Sequence, residues 1–122
     1  MKVLIVDDSS LIRKIVKSVT NVLQMDTLEA QDGVEALQVL EEHYHDICLV
    51  LLDWNMPIKN GYDVLVDMRR IERYQHIPVM MVTTESQKTS IIAAVRAGAN
   101  NYLTKPFTVQ ELESKILECL ES

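Results

Sequence analysis

The run Ile47-Cys48-Leu49-Val50-Leu51-Leu52 is the most hydrophobic stretch of the chain, and Asp53 follows it directly. Six successive apolar residues are typical of a strand that is buried on both faces, as in a parallel sheet covered by helices. Such sheets bind their ligands in the crevice at the carboxyl ends of the strands. The run therefore predicts a central strand that carries the Asp53 carboxylate into a ligand site.

Three further strand-like runs also end in polar side chains. They are Val3–Val6 before Asp7-Asp8, Val79–Val82 before Thr83-Thr84-Glu85, and Asn101–Thr104 before Lys105-Pro106. The carboxyl ends of parallel strands lie along one edge of a sheet, so we expect these polar side chains to lie close together. Together they predict an acidic cation site with a phosphate-recognising rim of hydroxyl and ammonium groups.

Strand and helix patterns alternate five times along the chain, which predicts an α/β domain with a parallel sheet. Thr27–Ala30 supplies a short second strand, which we expect at the edge of the sheet. Asp32 and Thr108 each stand three residues before a glutamate, the spacing of a capping box, and they predict helices that begin just after them. Gly98 predicts the end of a helix that covers about residues 89–97.

Helical periodicity predicts which side of each helix faces the sheet. The predicted inner faces are Leu11, Ile15, Val19, Val22 and Leu23 in the first helix, Val64, Leu65, Met68 and Ile71 in the third, and Leu112, Ile116 and Leu120 in the fifth. Ser9 or Ser10 is the expected N-cap of the first helix.

Composition and charge narrow the class of protein. With 122 residues, 48% hydrophobic and 25% charged, the chain has the balance of one soluble globular domain. A net charge of −6 argues against binding a nucleic-acid backbone. No apolar stretch approaches the ~20 residues that span a bilayer, and Met1-Lys2 enters a strand directly, so we expect no membrane insertion and a cytoplasmic location. Cys48 and Cys119 lack metal-ligand spacing and are expected to be buried or idle thiols rather than a disulfide.

Six sequence features stand at matching strand ends and in the same order as in one known family. They are Asp7-Asp8, Asp53, Trp54-Asn55-Met56-Pro57, Thr83, Tyr102 and Lys105-Pro106-Phe107. Over essentially the whole chain, this set resembles the receiver domain of bacterial two-component response regulators, most closely the stand-alone, CheY-like chemotaxis regulators. The resemblance implies a (βα)5 doubly wound fold, with strand order 2-1-3-4-5 and helices on both faces of the sheet. It also implies a single receiver domain over residues 1–122 that acts as a monomer.

The resemblance implies a Mg²⁺ site, which Mn²⁺ could also fill. Asp8 and Asp53 are the expected direct ligands, Asn55 contributes its backbone carbonyl, and Asp7 acts through a water molecule. Clustered carboxylates repel one another unless one holds a proton or a cation lies among them. Oxygen ligands of this kind favour a hard cation such as Mg²⁺.

Asp53 is implied to be the phosphoacceptor, a nucleophile that takes a phosphoryl group from a phosphohistidine or a small phosphodonor. The phosphoryl oxygens are expected to contact the cation, the Lys105 ammonium, the Thr83 hydroxyl and the Thr84 backbone N–H. Such transfer depends on positioning and charge neutralisation. The Lys105-Pro106 bond is expected to be cis, as in the family. The chain is therefore expected to be a phosphoacceptor module rather than an enzyme, although it catalyses its own phosphorylation and dephosphorylation.

Thr83 and Tyr102 resemble the pair that relays phosphorylation to the surface in the family. In that relay, the threonine hydroxyl moves toward the phosphoryl group, and the aromatic ring turns into the vacated space. Asn55 and Glu85 flank the path of the attacking water and are expected to tune the lifetime of the phosphorylated state. Thr84 is bulkier than the residue common at its position, so we expect it to lengthen that lifetime.

The predicted function is a phosphorylation-controlled signalling switch. The implied partners are a CheA-like sensor histidine kinase and the flagellar motor switch protein, which binds the surface built by helix four, strand five and helix five. The alternatives are a phosphorelay intermediate that serves a histidine phosphotransfer protein, or a receiver excised from a larger regulator. Two other classes fit less well. A haloacid-dehalogenase-type phosphohydrolase needs an Asp-x-Asp motif on strand one and a cap, whereas strand one here ends in Asp7-Asp8. In a flavodoxin-like flavin binder, the Asp7-Asp8 pair would repel the phosphate of the flavin.

Overall fold

The computed structural model describes residues 1–121 and contains five parallel strands, five α-helices and a 3-10 turn at Glu72–Tyr74. The strands are β1 (Lys2–Val6), β2 (Asp26–Ala30), β3 (Ile47–Leu52), β4 (Val79–Thr83) and β5 (Asn101–Thr104). The helices are α1 (Ser10–Val22), α2 (Gly33–His43), α3 (Gly61–Arg70), α4 (Lys88–Ala97) and α5 (Val109–Glu121). The strand order is β2-β1-β3-β4-β5, which confirms the predicted topology and the edge position of β2. None of the helices within residues 1–121 has the length and apolar character needed to span a bilayer.

Two apolar layers, one on each face of the sheet, form the core. Successive residues of a strand point to opposite faces, so Leu4 and Val6 of β1 join the layer shared with α2 and α3. Val3 and Ile5 join the layer shared with α1 and α5. Because both faces of β1, β3 and β4 are covered, these strands are continuously apolar rather than alternating.

The register of the sheet brings the polar strand ends together. The Asp53 N–H donates a hydrogen bond to the Val6 carbonyl at 2.9 Å, across the β1–β3 pair. Asp7 and Asp53 therefore leave neighbouring strands side by side. The Lys105 N–H donates to the Thr83 carbonyl at 2.9 Å, which aligns the ends of β4 and β5 in the same way.

The predicted caps are confirmed. Ser9 caps α1 by accepting a hydrogen bond from the backbone N–H three residues later at 3.2 Å, and Asp32 caps α2 in the same manner at 2.8 Å. Thr108 and Glu111 form a reciprocal capping box, with bonds of 2.9 and 3.0 Å. Gly98 ends α4 with a φ of 110°, a left-handed conformation that favours glycine.

Parts of two predicted helix faces are wrong. Leu11 and Val22 are 65% and 73% exposed, because each lies one residue, about 100° of rotation, outside the face that α1 buries. That face consists of Ile12, Val16, Val19, Thr20 and Leu23. In α5, Cys119 is buried and Leu120 is exposed. Seven residues return a helix to within about 20° of its starting direction, whereas eight overshoot by about 80°, so Cys119 rather than Leu120 lies beneath Leu112.

Candidate functional site

Three carboxylates meet at the ends of β1 and β3. Asp7 and Asp53 are 3% and 6% exposed, while Asp8 is exposed. One carboxylate oxygen from each residue lies within 4.8 Å of the others. The structure thus brings together the acidic residues that the sequence predicted as a cluster.

Lys105 supplies a positive charge inside this cluster. Its ammonium donates to Asp7 Oδ2 at 2.7 Å and to Asp53 Oδ2 at 3.2 Å, and the peptide bond to Pro106 is cis, as predicted. Burial alone would lower the pKa of Lys105, but the hydrogen bond to Asp7 and the charge of Asp53 outweigh it, so that pKa is raised. Lys105 therefore stays protonated and holds both buried carboxylates.

Asp7 has a second set of contacts that the sequence analysis missed. Its Oδ1 accepts the Ser9 N–H at 2.9 Å, and its backbone carbonyl accepts an N–H of Arg13 at 2.6 Å. The same guanidinium forms an ion pair with Glu29 at 3.1 Å. Side chains of a helix lean toward its N-terminus, so an arginine one turn into α1 could have been expected to reach back to the end of β1.

The backbone around Asp53 is closely packed. Gly61 lies so near that a Cβ at its position would be 1.9 Å from the Asp53 carbonyl oxygen, which explains the need for glycine there. The Asn55 N–H faces Asp53 Oδ1 at 3.4 Å. Trp54 is half-buried and stacks on Tyr62, with 5.0 Å between ring centroids. These contacts fix the path of the chain on both sides of the Asp53 carboxylate.

The donor set fits a hard divalent cation. Asp7, Asp8 and Asp53 offer only oxygen atoms, which Mg²⁺ and Mn²⁺ prefer. Both oxygens of Asp7 already accept protein hydrogen bonds, from Ser9 and Lys105. Asp53 accepts bonds from Lys105 and the Asn55 N–H in the same way, so direct ligation by Asp8 and Asp53 and water-mediated ligation by Asp7 stay predictions from the family resemblance.

Glu85 connects the residues at the other side of the site. Its N–H donates to the hydroxyl of the buried Thr83 at 3.3 Å, and its carboxylate accepts from the Asn55 amide at 3.1 Å. Its backbone carbonyl accepts the Tyr102 hydroxyl at 2.5 Å. Burial raises the pKa of Tyr102 to about 12, with a smaller contribution from the negative charges of Glu85 and Asp53. The two predicted pairs, one for lifetime and one for switching, therefore share Glu85, whereas Thr84 is exposed.

A family model described as the response regulator receiver domain matches residues 3–117. The chain belongs to this family. The chemotaxis protein CheY homolog of Campylobacter jejuni is 44% identical over 121 residues, which cover 98% of this chain and 92% of that protein. CheY of Pseudomonas aeruginosa is 45% identical over 122 residues, which cover 99% of this chain and 97% of that protein.

A solved complex shows the same fold with ligands. In the CheX–CheY–BeF3–Mg²⁺ complex of Borrelia burgdorferi, the matched chain is 25% identical, with a TM-score of 0.91, and the match covers 97% of this receiver and 87% of that chain. The receiver is therefore a homologue of the CheY chemotaxis regulators, a group of phosphoacceptor signalling modules in two-component systems.

The receiver fold explains which predicted residues meet. Lys105 contacts Asp7 and Asp53 directly, and Asp8 completes the acidic group at the surface. Thr83 lies at the end of the neighbouring strand.

Proposed function

We propose that Asp53 accepts a phosphoryl group from a histidine kinase and that the resulting acyl phosphate changes the surface that binds partners. One observation carries this proposal. The Asp53 carboxylate is only 6% exposed and lies between two other carboxylates and an ammonium group that reaches it from the end of β5. A cation and a phosphoryl group together would satisfy both kinds of charge.

The acidic residues would hold Mg²⁺, or Mn²⁺ in its place, through Asp8, Asp53 and the Asn55 carbonyl, with Asp7 bound through water. When bound, the cation supplies neutralisation of charge on the phosphoryl oxygens and on the attacking carboxylate. The solved Borrelia complex, which contains Mg²⁺ and a beryllofluoride group, supports a joint site for both.

The transfer itself needs little covalent work from the protein. An Asp53 oxygen attacks phosphorus, a P–O bond forms, and the P–N bond of the donor's phosphohistidine breaks with its electron pair left on the imidazole. Lys105, which already contacts Asp53, is positioned to neutralise one phosphoryl oxygen. The Thr83 hydroxyl and the Thr84 N–H would bind another. Later, water attacks phosphorus, the P–O bond to Asp53 breaks, and inorganic phosphate leaves as Asp53 returns to its free carboxylate. The chain therefore catalyses only its own modification.

The switch would use the contacts of Glu85. For the Thr83 hydroxyl to turn toward the phosphoryl group, it must give up the hydrogen bond that it now accepts from the Glu85 N–H. Because the Tyr102 hydroxyl is bonded to the carbonyl of the same residue, this change reaches the ring of Tyr102 on β5. Ile92 and Val95 of α4, the helix between β4 and β5, are exposed. We propose the α4–β5–α5 surface as the binding site for the flagellar motor switch protein.

The assignments of kinase, oligomeric state, domain organisation and location remain predictions. They comprise a CheA-like donor kinase, monomeric behaviour, a single receiver domain over residues 1–122 and a cytoplasmic location. Homology to CheY chemotaxis regulators supports the chemotaxis assignment.

Intact mass after incubation with acetyl phosphate and Mg²⁺ tests the proposal. The wild-type chain should gain one phosphoryl group, Asp53→Asn should gain none, and EDTA should prevent the reaction. Asp46→Asn is the matched control, because Asp46 is exposed just before the start of β3, at the opposite end of the strand. Undiminished labelling of Asp53→Asn would place the acceptor elsewhere.

A further inference from the structure

The loop between β3 and α3 contains a strained residue. Ile58 has a φ of 70°, and the Lys59 N–H donates to the Pro57 carbonyl at 2.8 Å. A hydrogen bond between residues two apart, with a positive φ at the central residue, defines a γ-turn that is rare and strained. A β-branched side chain makes this conformation still less favourable.

Contacts on both sides keep the turn from relaxing. The Gly33 N–H donates to the Lys59 carbonyl at 3.1 Å, and the Lys59 ammonium pairs with Asp67 at 2.6 Å. The Gly61 N–H donates to the Trp54 carbonyl at 2.8 Å. A strained residue persists only where its surroundings determine its conformation in this way.

The side chain of Ile58 gives the folded chain little in return. It is 81% exposed, the most exposed large apolar side chain in the described part of the chain. Asparagine and glycine adopt a positive φ more readily. Neither the backbone conformation nor the packing of the free protein therefore favours isoleucine at this position.

We propose that Ile58 is an apolar anchor for the protein domain that presents phosphohistidine to Asp53. The proposal rests on the proposed function of Asp53. Since Asp53 is only 6% exposed, a histidine on another protein must reach down between the loops, and the surface around that histidine then covers the loop that follows β3. The site is acidic, so an apolar contact on the loop that follows β3 provides affinity that does not depend on charge. Truncation of an anchor of this kind weakens binding strongly.

Two substitutions distinguish the effect of the apolar side chain from the effect of the backbone strain. Ile58→Asn removes both, whereas Ile58→Leu keeps an apolar side chain of similar size without branching at Cβ. Val22→Asn is the control, since Val22 is 73% exposed at the far end of α1 and the two residue types have similar helix propensity.

The experiment compares two phosphodonors. One is acetyl phosphate, and the other is the autophosphorylated histidine domain of a chemotaxis-type kinase, chosen because it phosphorylates the wild-type chain. We expect Ile58→Asn to unfold at a higher urea concentration than wild type and to react normally with acetyl phosphate. Its kcat/KM with the phosphohistidine domain should fall by about tenfold or more, while Ile58→Leu and Val22→Asn stay near wild type.

The outcomes separate this inference from the proposed function. Failure of the wild-type chain to accept phosphate from acetyl phosphate would overturn both. Normal transfer from the phosphohistidine domain to Ile58→Asn would overturn the anchor alone. Loss of binding to a downstream target, with normal transfer, would likewise overturn it and assign Ile58 to that target.

Discussion

Substitution of Lys105 by methionine should destabilise the chain while strengthening its affinity for Mg²⁺. Methionine keeps the length of the side chain and removes its charge. The side chains of Asp7, Asp53 and Lys105 are 4%, 7% and 14% exposed, so both carboxylates would lose their cationic partner inside the protein.

The size of the effect follows from this burial. Removal of one partner of a buried ion pair costs about 3–5 kcal/mol, because the remaining charge is still desolvated. The whole free energy of unfolding of a small domain is about 5–15 kcal/mol. With a urea slope of about 2 kcal/mol per molar, the midpoint of unfolding should fall by roughly 2 M. The affinity for Mg²⁺ should increase by at least about tenfold, because an ammonium group no longer repels the cation.

Urea unfolding followed by far-UV circular dichroism, in EDTA and in Mg²⁺, measures both effects. Lys17→Met is the matched control, since Lys17 is half exposed and lies 3.9 Å from Glu29, and such pairs contribute less than about 1 kcal/mol. Mg²⁺ should raise the midpoint of Lys105→Met more than that of wild type. Equal midpoints for Lys105→Met and wild type in EDTA would show that Lys105 does not support the buried carboxylates.

Three further predictions concern the rest of the site. The pKa of Tyr102 is raised from 10 to about 12, so the folded state keeps a proton that the unfolded chain loses, and the stability it contributes should be lost as pH rises from 10 to 12. Tyr102→Phe should reduce this loss in alkaline urea titrations, and an unchanged pH profile would contradict the assignment. Thr84→Ala should shorten the phosphorylated lifetime in a phosphate-release assay, and an unchanged decay rate would refute the steric reasoning. Beryllofluoride with Mg²⁺ should shift NMR resonances across residues 85–110, and shifts confined to the loops near Asp53 would favour a phosphorelay carrier.

The sheet could be predicted because each strand signal is local. Uninterrupted apolar runs such as Ile47–Leu52 require a sheet covered on both faces, and the polar residue after each run then identifies the edge that holds the site. The order of the strands is not local. It came from the family resemblance, because apolar runs alone do not determine which of several right-handed arrangements places β1 beside β3.

The errors in the predicted buried faces of α1 and α5 have a different cause. Leu11 and Leu120 are as apolar as their buried neighbours, and a position near either end of a helix has few turns beyond it to fix the direction of the buried face. Cys119 was expected to be a buried or idle thiol, but the predicted inner face of α5 did not include it. A difference of one residue rotates the side chain by about 100°, and hydropathy alone does not resolve that difference at a helix end.

For contacts that depend on strand register, the sequence predicts which residues lie near one another but not which of their atoms are bonded. Sequence placed Lys105 beside Asp53, but its shorter bond is to Asp7, 98 residues away. Similarly, Asn55 was predicted to tune the phosphorylated lifetime, and Thr83 and Tyr102 were predicted to form the switch pair. Only the structure shows that all three bond to Glu85.

The shared position of Lys105 suggests how the proposed acyl phosphate would act at a distance. In the unmodified chain its ammonium divides between Asp7 at 2.7 Å and Asp53 at 3.2 Å. A phosphoryl group places up to about two negative charges on the Asp53 side, so the ammonium gains a stronger partner there and its bond to Asp7 becomes relatively weaker. Lys105 directly follows β5, and Tyr102 lies three residues earlier in the same strand. A small movement of the end of β5 and the release of the Thr83 hydroxyl would therefore reach Tyr102 from two directions, through its own strand and through Glu85.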